Sequence, residues 1–180
     1  MINNKKNEIR NKIREFKKNF SLDEKKEKSD IILNKLEKIS LFNNADTIML
    51  YWSMNDEVNT HSFILKWYKK KKIILPAVRG ENLELKVFSG IESMKEGESY
   101  KILEPVGETF LDYDKIDIIV VPGVAFDKSC NRLGRGKAYY DKLLKNCNAK
   151  KIGICFDFQI VNEVPVDEHD IKMDIVISDK

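Results

Sequence analysis

Hydrophobic positions recur at helical spacing in the first part of the chain and in unbroken runs further on. This change of period divides the sequence into elements. Ile9, Ile13, Phe16 and Phe20 fall three or four residues apart, which places them on one stripe of a helix over residues 3–19. Ser21 followed by Glu24 has the form of a capping box that restarts a helix. Ile32, Leu36 and Ile39 supply the buried face of this second helix until Asn43-Asn44 breaks it. Residues 47–52 are a continuous apolar run, the pattern of a strand covered on both faces. Residues 60–70 read as a helix carrying Phe63 and Trp67, and 72–77 as a short strand ending at Pro76. Leu83, Leu85 and Val87 alternate, which suits an edge or antiparallel strand over 83–89. Residues 90–114 are polar and irregular, 117–121 form a second buried strand, 137–144 a helix, and 151–156 and 174–178 the last strands.

Strands alternating with helices predict an α/β fold, a three-layer α/β/α sandwich around a mostly parallel sheet, with an N-terminal helical hairpin packed on it. At 180 residues, with no repeat or low-complexity linker, residues 1–180 read as a single domain. Ligands of such sheets sit at the carboxyl ends of the strands. Three polar segments follow predicted strands there: 53–57, 122–141 and 156–159.

Composition narrows the possibilities. Thirty-two basic and 29 acidic residues give a net charge of +3, too balanced for a dedicated nucleic-acid binder. A local basic cleft for an anionic small molecule remains open. Cys130, Cys147 and Cys155 are scattered and form no C-x-x-C pair, so neither disulfides nor zinc are expected, and reduced thiols suit the cytoplasm. The lysine-rich, polar start predicts no signal peptide, and no apolar run reaches membrane-spanning length.

The chemistry concentrates between Val120 and Asp141. A buried strand ends in Pro122-Gly123, and the loop Arg132-Leu133-Gly134-Arg135-Gly136-Lys137-Ala138-Tyr139-Tyr140-Asp141 runs into a helix. Glycines admit a phosphate close to the backbone, a helix start offers unpaired N–H groups, and cations neutralise charge. The loop matches neither the Walker A pattern nor the dinucleotide G-x-G-x-x-G fingerprint. The plain alternative is a strand-to-helix turn with solvated basic residues. One of Tyr139 and Tyr140 can face a planar ligand while the other packs inward. Asp141, four residues after Lys137, is either its salt-bridge partner or a carboxylate for Mg²⁺. Asp170 and Asp174 are candidates for a second metal ligand, and His169 for a base. Lys6, Arg10 and Arg14 form a basic stripe at four-residue spacing, either solvated or reaching over the cleft to phosphates. Trp52 and Glu57 lie in the loop after the first strand, where Asn59 or Thr60 caps the next helix.

Taken together these segments resemble the 5-formyltetrahydrofolate cyclo-ligase (methenyltetrahydrofolate synthetase) family along nearly the whole chain. The resemblance is carried by Lys6-x-x-x-Arg10, the loop from Ser53 to Thr60, Leu75-Pro76, and the two blocks from Val121 to Asp127 and from Arg132 to Asp141. It continues through Gly153-Ile154-Cys155-Phe156, Gln159, Val164-Pro165 and the block from His169 to Asp174.

This resemblance implies ATP-dependent conversion of 5-formyltetrahydrofolate, with or without a polyglutamate tail, to 5,10-methenyltetrahydrofolate, in a cytoplasmic monomer or weak dimer that binds no nucleic acid or membrane. It implies that Lys6, Arg10 and the loop from Arg132 through Leu133, Gly134, Arg135, Gly136, Lys137, Ala138 and Tyr139 to Tyr140 hold ATP. Arg135 and Lys137 would bear the catalytic charge, and residues 135–139 would also border the folate. Trp52 and Glu57 would contact the pterin, and Asp141 and Asp170 would bind Mg²⁺. Ala138 and Asn131 stand where the family usually has glycine. Alanine is tolerable at a helix start, and asparagine accepts left-handed angles.

Overall fold

The computed structural model describes residues 2–97 and 103–180. Its five α-helices among these residues are α1 (Ile2–Lys18), α2 (Leu22–Lys38), α3 (Ser40–Asn44), α4 (His61–Trp67) and α5 (Tyr139–Leu144). The strands are β1 (Thr47–Met49), β2 (Lys72–Arg79), β3 (Asn82–Val87), β4 (Met94–Glu96), β5 (Leu103–Pro105), β6 (Ile118–Val121), β7 (Ala125–Asp127), β8 (Arg132–Leu133), β9 (Lys150–Ile154), β10 (Ile160–Val161) and β11 (Ile175–Ile177).

Six strands make the central sheet, in the order β11-β9-β6-β1-β2-β3. All neighbours are parallel except β2 and β3. The apolar runs have the expected cause. Ile48, Ile73, Ile118, Val120 and Ile152 point to a core shared with Ile32 and Leu36 of α2, Phe42 of α3 and Phe63 of α4. Their neighbours Met49, Ile74, Ile119 and Val121 point to the opposite core, with Phe126 and with Leu143 and Leu144 of α5. Burial on both faces leaves no polar positions to alternate.

The two N-terminal helices separate in role. The capping box forms: the Ser21 hydroxyl accepts from Glu24 N at 3.2 Å, and Glu24 Oε2 accepts from Ser21 N at 3.4 Å. From there α2 lies on the central sheet. α1 instead buries Ile13 against Ala125, Leu133 and Val164, over the small sheet β10-β7-β8.

β2 runs past Pro76, where the sequence suggests an end. Ile74 turns its carbonyl towards β1 and accepts from Leu50 N at 2.9 Å. Pro76, two residues on, has no N–H to offer Leu50 O, and the pairing with β1 ends at Met49 and Ile74, while β3 pairs the other edge and β2 runs on. The 90–114 segment also holds structure, an antiparallel β4–β5 pair and a Lys86–Thr109 bridge. Residues 98–102 of that segment lie outside the described residues.

The chain leaves β1 for β2 and β3 on one side, then returns to place β6 on the other. The strand order therefore reverses between β1 and β6, and a crevice opens beyond their carboxyl ends, the general ligand position of open α/β sheets.

Candidate active site

A cavity of about 370 Å³ occupies this crevice. Tyr51, Trp52, Met54 and Glu57 enter it from the loop after β1, Pro122 and Gly123 from the end of β6, and Lys6 and Arg10 from α1. Residues 132–141 form one wall, and Asp167, His169 and Asp170 another. Every residue the resemblance marks for ATP, folate or metal lies on this lining, although Lys6 and Asp170 are 164 positions apart; Arg14 and Asp174, the other candidates, do not.

Two buried side chains hold the turns that build the wall. Asp127 accepts hydrogen bonds from Ser129 N, Asn131 N, Asn131 Nδ2 and Val164 N at 2.9 to 3.0 Å. Burial opposes its charge, but these donors outweigh it and hold its pKa below the ordinary aspartate value. Gln159 donates from Nε2 to Gly123 O and Val124 O, both at 2.9 Å, and fixes the backbone leaving β6.

Arg132 is a strut beneath the loop. Its side chain is 4% exposed, and Nη2 donates to both carboxylate oxygens of Asp141 at 2.8 Å. Asp141 Oδ1 also accepts from Ile171 N at 3.3 Å, which ties α5 to the segment carrying Asp170. Gly134 passes so close that an added Cβ would lie 2.9 Å from Arg132 Nη1. Arg10 Nε donates to Gly134 O at 3.0 Å and holds the loop from above.

Several expectations are corrected here. Lys137 precedes α5 instead of lying in its first turn, so it does not share a helical face with Asp141, whose ion-pair partner is Arg132. Lys137 is exposed on the cavity wall with no ion-pair partner among the described residues. Asn131 is not the left-handed residue of its turn; Cys130 is, at φ 64°. Thr60 is the N-cap residue of α4 but makes no side-chain cap hydrogen bond; it turns inward to donate to Tyr51 O, while Asn59, one residue earlier, accepts from His61 N at 3.1 Å. Asp174 accepts from Lys151 N at 2.8 Å, at the amino ends of β9 and β11, and is remote from the cavity. His169 stands at the rim with its side chain 81% exposed.

Ala138 is more than a helix start. It has φ 54° and ψ 16°, a left-handed conformation two residues after Gly136 at φ 99°. An L-residue is strained there and glycine is not. Ala138→Gly is therefore expected to raise unfolding free energy by about 0.5–1 kcal/mol. Urea denaturation checks this, and a loss of stability would show that the methyl contributes packing.

Two cations of the site, Lys6 and Arg135, are already paired with carboxylates. Lys6 donates to Asp167 Oδ2 at 2.8 Å and to Asp170 Oδ2 at 2.5 Å. Burial opposes the lysine charge, but the two carboxylates outweigh it and raise its pKa; the same hydrogen bond lowers that of Asp167. Arg135 Nη2 donates to Asp56 Oδ1 at 2.6 Å and to Glu57 Oε1 at 3.2 Å. Glu57 Oε2 meanwhile accepts from Met54 N at 2.9 Å. Trp52 stacks on His61, ring centroids 4.0 Å apart, which fixes the indole at the cavity wall. Tyr139 lines the cavity and donates to Gly80 O at 3.3 Å; Tyr140 packs towards the core, and burial raises its pKa.

Sequence reasoning gave no role to Asp56, Asp167, Val78, Leu83, Leu103 or Glu104. Asp56 and Asp167 pair with cations of the site, and the other four help line the cavity. Asp167, three residues before Asp170, carries a weak spacing signal; the others carry none. Among the described residues no group of three or more His, Cys, Asp or Glu forms a metal cage. Asp141 and Asp170 both line the cavity, Asp141 paired with Arg132 and Asp170 with Lys6.

The profile of the 5-formyltetrahydrofolate cyclo-ligase family matches residues 2–179. The mouse 5-formyltetrahydrofolate cyclo-ligase is 31% identical over 98% of this chain and 94% of its own length. The Haemophilus influenzae enzyme of the same name is 27% identical over 98% and 100%. The solution structure of Aquifex aeolicus 5,10-methenyltetrahydrofolate synthetase superposes with a TM-score of 0.87 at 34% identity, covering 97% of this chain and 90% of that one. Extent, identity and fold agree: the chain is an enzyme that belongs to the 5-formyltetrahydrofolate cyclo-ligase family.

Proposed function

We propose that the protein is a cytoplasmic, ATP- and Mg²⁺-dependent 5-formyltetrahydrofolate cyclo-ligase that phosphorylates the formyl oxygen and closes the ring through N10. The observation that carries this reading is the convergence of the glycine–arginine–lysine loop, the Trp52–Glu57 loop and two carboxylates on one cavity at the switch point of the sheet.

The chemistry follows from the leaving group. A formyl group on nitrogen is an amide, and its oxygen leaves poorly. The oxygen attacks the γ-phosphorus of ATP, ADP departs, and the formyl carbon then carries a phosphate. N10 attacks that carbon, loses its proton, and phosphate leaves with the former formyl oxygen. No protein nucleophile is needed, and Cys130 is expected to be dispensable. The protein's part is positioning and charge neutralisation.

Lys6, Arg10 and the loop from Arg132 to Tyr140 would hold the triphosphate. Arg135 and Lys137 would face the moving phosphoryl group, and Trp52 and Glu57 would hold the pterin ring. Glu57 can accept from ring N–H groups once it shares its hydrogen-bonding capacity with them. Asp141 and Asp170 would hold Mg²⁺, which supplies charge neutralisation to the phosphates. Lys6 and Arg135, now held by carboxylates, would exchange them for phosphate oxygens, so the site keeps its cations in place before the nucleotide arrives.

The test is direct. Purified protein with 5-formyltetrahydrofolate, ATP and Mg²⁺ should form the methenyl chromophore, and omission of ATP or chelation of the metal should stop it. Stabilisation by ATP but not by reduced folates, with no chromophore formed, would overturn the reading.

A further inference from the structure

The loop that carries Trp52 and Glu57 is closed by the residues at the start of α4. Thr60, fully buried, donates from its hydroxyl to Tyr51 O and from its N–H to Ser53 Oγ at 3.1 Å. His61 follows it. Its backbone N–H donates to Asn59 Oδ1 at 3.1 Å, and its ring Nε2 lies 3.0 Å from Ser53 O. A carbonyl only accepts, so this bond places a proton on Nε2. Burial and the charge of Lys25 hold the His61 pKa below the ordinary histidine value against the pull of the Ser53 carbonyl, and the ring is neutral near pH 7.

The imidazole is thereby held flat against the indole of Trp52, with ring centroids 4.0 Å apart and planes 14° from parallel. Trp52 lines the cavity, and His61 stands behind it, off the lining. Phe88 packs on the same indole more loosely, 6.1 Å away and tilted by 32°. Among the described residues the hydrogen bonds of the loop go to its backbone, to Ser53 and to Glu57, and none goes to the indole. The orientation of Trp52 therefore depends on the stack with His61 more than on any other contact.

Resting on the reading of Trp52 as a contact of the folate ring, we propose that His61 is a positioning residue for the folate half of the site, setting the plane of an indole that meets the substrate while touching no substrate itself. Two observations separate this from plain support of the loop. The closure of the loop rests on Thr60 and Ser53, through bonds that do not involve the imidazole. Glu57, the other folate-facing group of the loop, is held by Met54 N and Arg135 and not by His61. Loss of the imidazole thus frees the indole and leaves Glu57 in place. Another flat side chain can replace it; a side chain offering only a hydrogen-bond donor cannot.

The test is calorimetry with 5-formyltetrahydrofolate alone and, separately, with MgATP alone. His61→Ala and His61→Gln should each raise the Kd for 5-formyltetrahydrofolate about tenfold, through the loss of one aromatic contact. His61→Phe, which keeps the stack and gives up the donor, should stay within about twofold of the wild type. The Kd for MgATP should move by less than about twofold in all three. In a Trp52→Ala background, His61→Ala should add less than about twofold, because the group it acts through is gone. Unchanged folate binding in His61→Ala overturns the proposal. So does weakening in His61→Phe or retention in His61→Gln, either of which would assign the effect to the Ser53 bond. A parallel loss of MgATP affinity, or additive losses in the double variant, overturns it as well. Methenyl formation by the wild type with unaltered folate binding in His61→Ala sinks only the role of His61. The expected binding pattern without methenyl formation sinks only the assigned reaction, and a wild type that binds no 5-formyltetrahydrofolate sinks both.

Discussion

Replacing Lys137 with alanine is expected to lower kcat by a hundredfold or more while changing unfolding free energy by less than about 0.5 kcal/mol. The two halves of this expectation have separate causes. The lysine is exposed on the cavity wall, precedes α5, and has no ion-pair partner among the described residues, so the fold has little to lose. In the proposed reaction the same ammonium faces charge that grows as the phosphoryl group moves. An interaction stronger in the transition state than in the ground state acts on kcat, not on KM alone. The measurement is kcat at saturating ATP and 5-formyltetrahydrofolate, with a urea titration of the same protein. A raised KM with unchanged kcat would make Lys137 a uniform binder of nucleotide. No change in either would make it a solvated residue of the turn.

Arg132→Ala is expected to do the opposite, destabilising the protein by about 3 kcal/mol. The resemblance places Arg132 among the nucleotide-binding residues, but its side chain is 4% exposed and holds Asp141, itself 15% exposed. Removing the guanidinium would leave that carboxylate poorly hydrated, with Ile171 N as its remaining donor. It would also open space beneath Gly134 and beside the Tyr140 ring, whose centroid lies 5.7 Å from Arg132 Cζ. Asp141→Asn alone should cost less, because a neutral amide tolerates burial better than an unpaired charge. In the double variant the two losses should be less than additive. Urea denaturation of the four proteins checks this. A single Arg132→Ala cost below about 0.5 kcal/mol would show that the pair is a surface contact and the loop self-supporting.

The parts of the fold that were legible are those whose signal is local. Ser21 and Glu24 announce their capping box within four residues, and the runs around Ile48 and Ile119 announce strands buried on both faces. The parts that were not legible are short or depend on a partner. β7, β8 and β10 have two or three residues each, too few to show a period, and exist because they pair with one another. Pro76 reads as a strand end until the place where β1 stops is known. The start of α5 reads as Lys137 until the left-handed angle of Ala138 shows that the helix begins one residue after it.

The same division runs through the candidate site. Glycine spacing, clustered cations and a carboxylate near a helix start are local chemical facts, enough to mark the loop from Arg132 to Asp141 for an anion. The family came from the resemblance along the whole chain, and Val78, Leu83, Leu103 and Glu104 of the cavity lining were not marked. What each side chain is doing is not local. Lys6 meets Asp170, and Arg135 meets Asp56, only because the strand order reverses between β1 and β6 and α1 crosses above the opening. Tertiary structure alone separated Arg132, buried as a strut, from Lys137, left exposed on the wall, although only four residues lie between them. It also divided the basic stripe of α1, placing Lys6 and Arg10 on the cavity lining and Arg14 off it. Charge and size are properties of a residue, and the sequence determines them. Burial and partnership are properties of the packed chain, and they decide which of several identical charges is free to act.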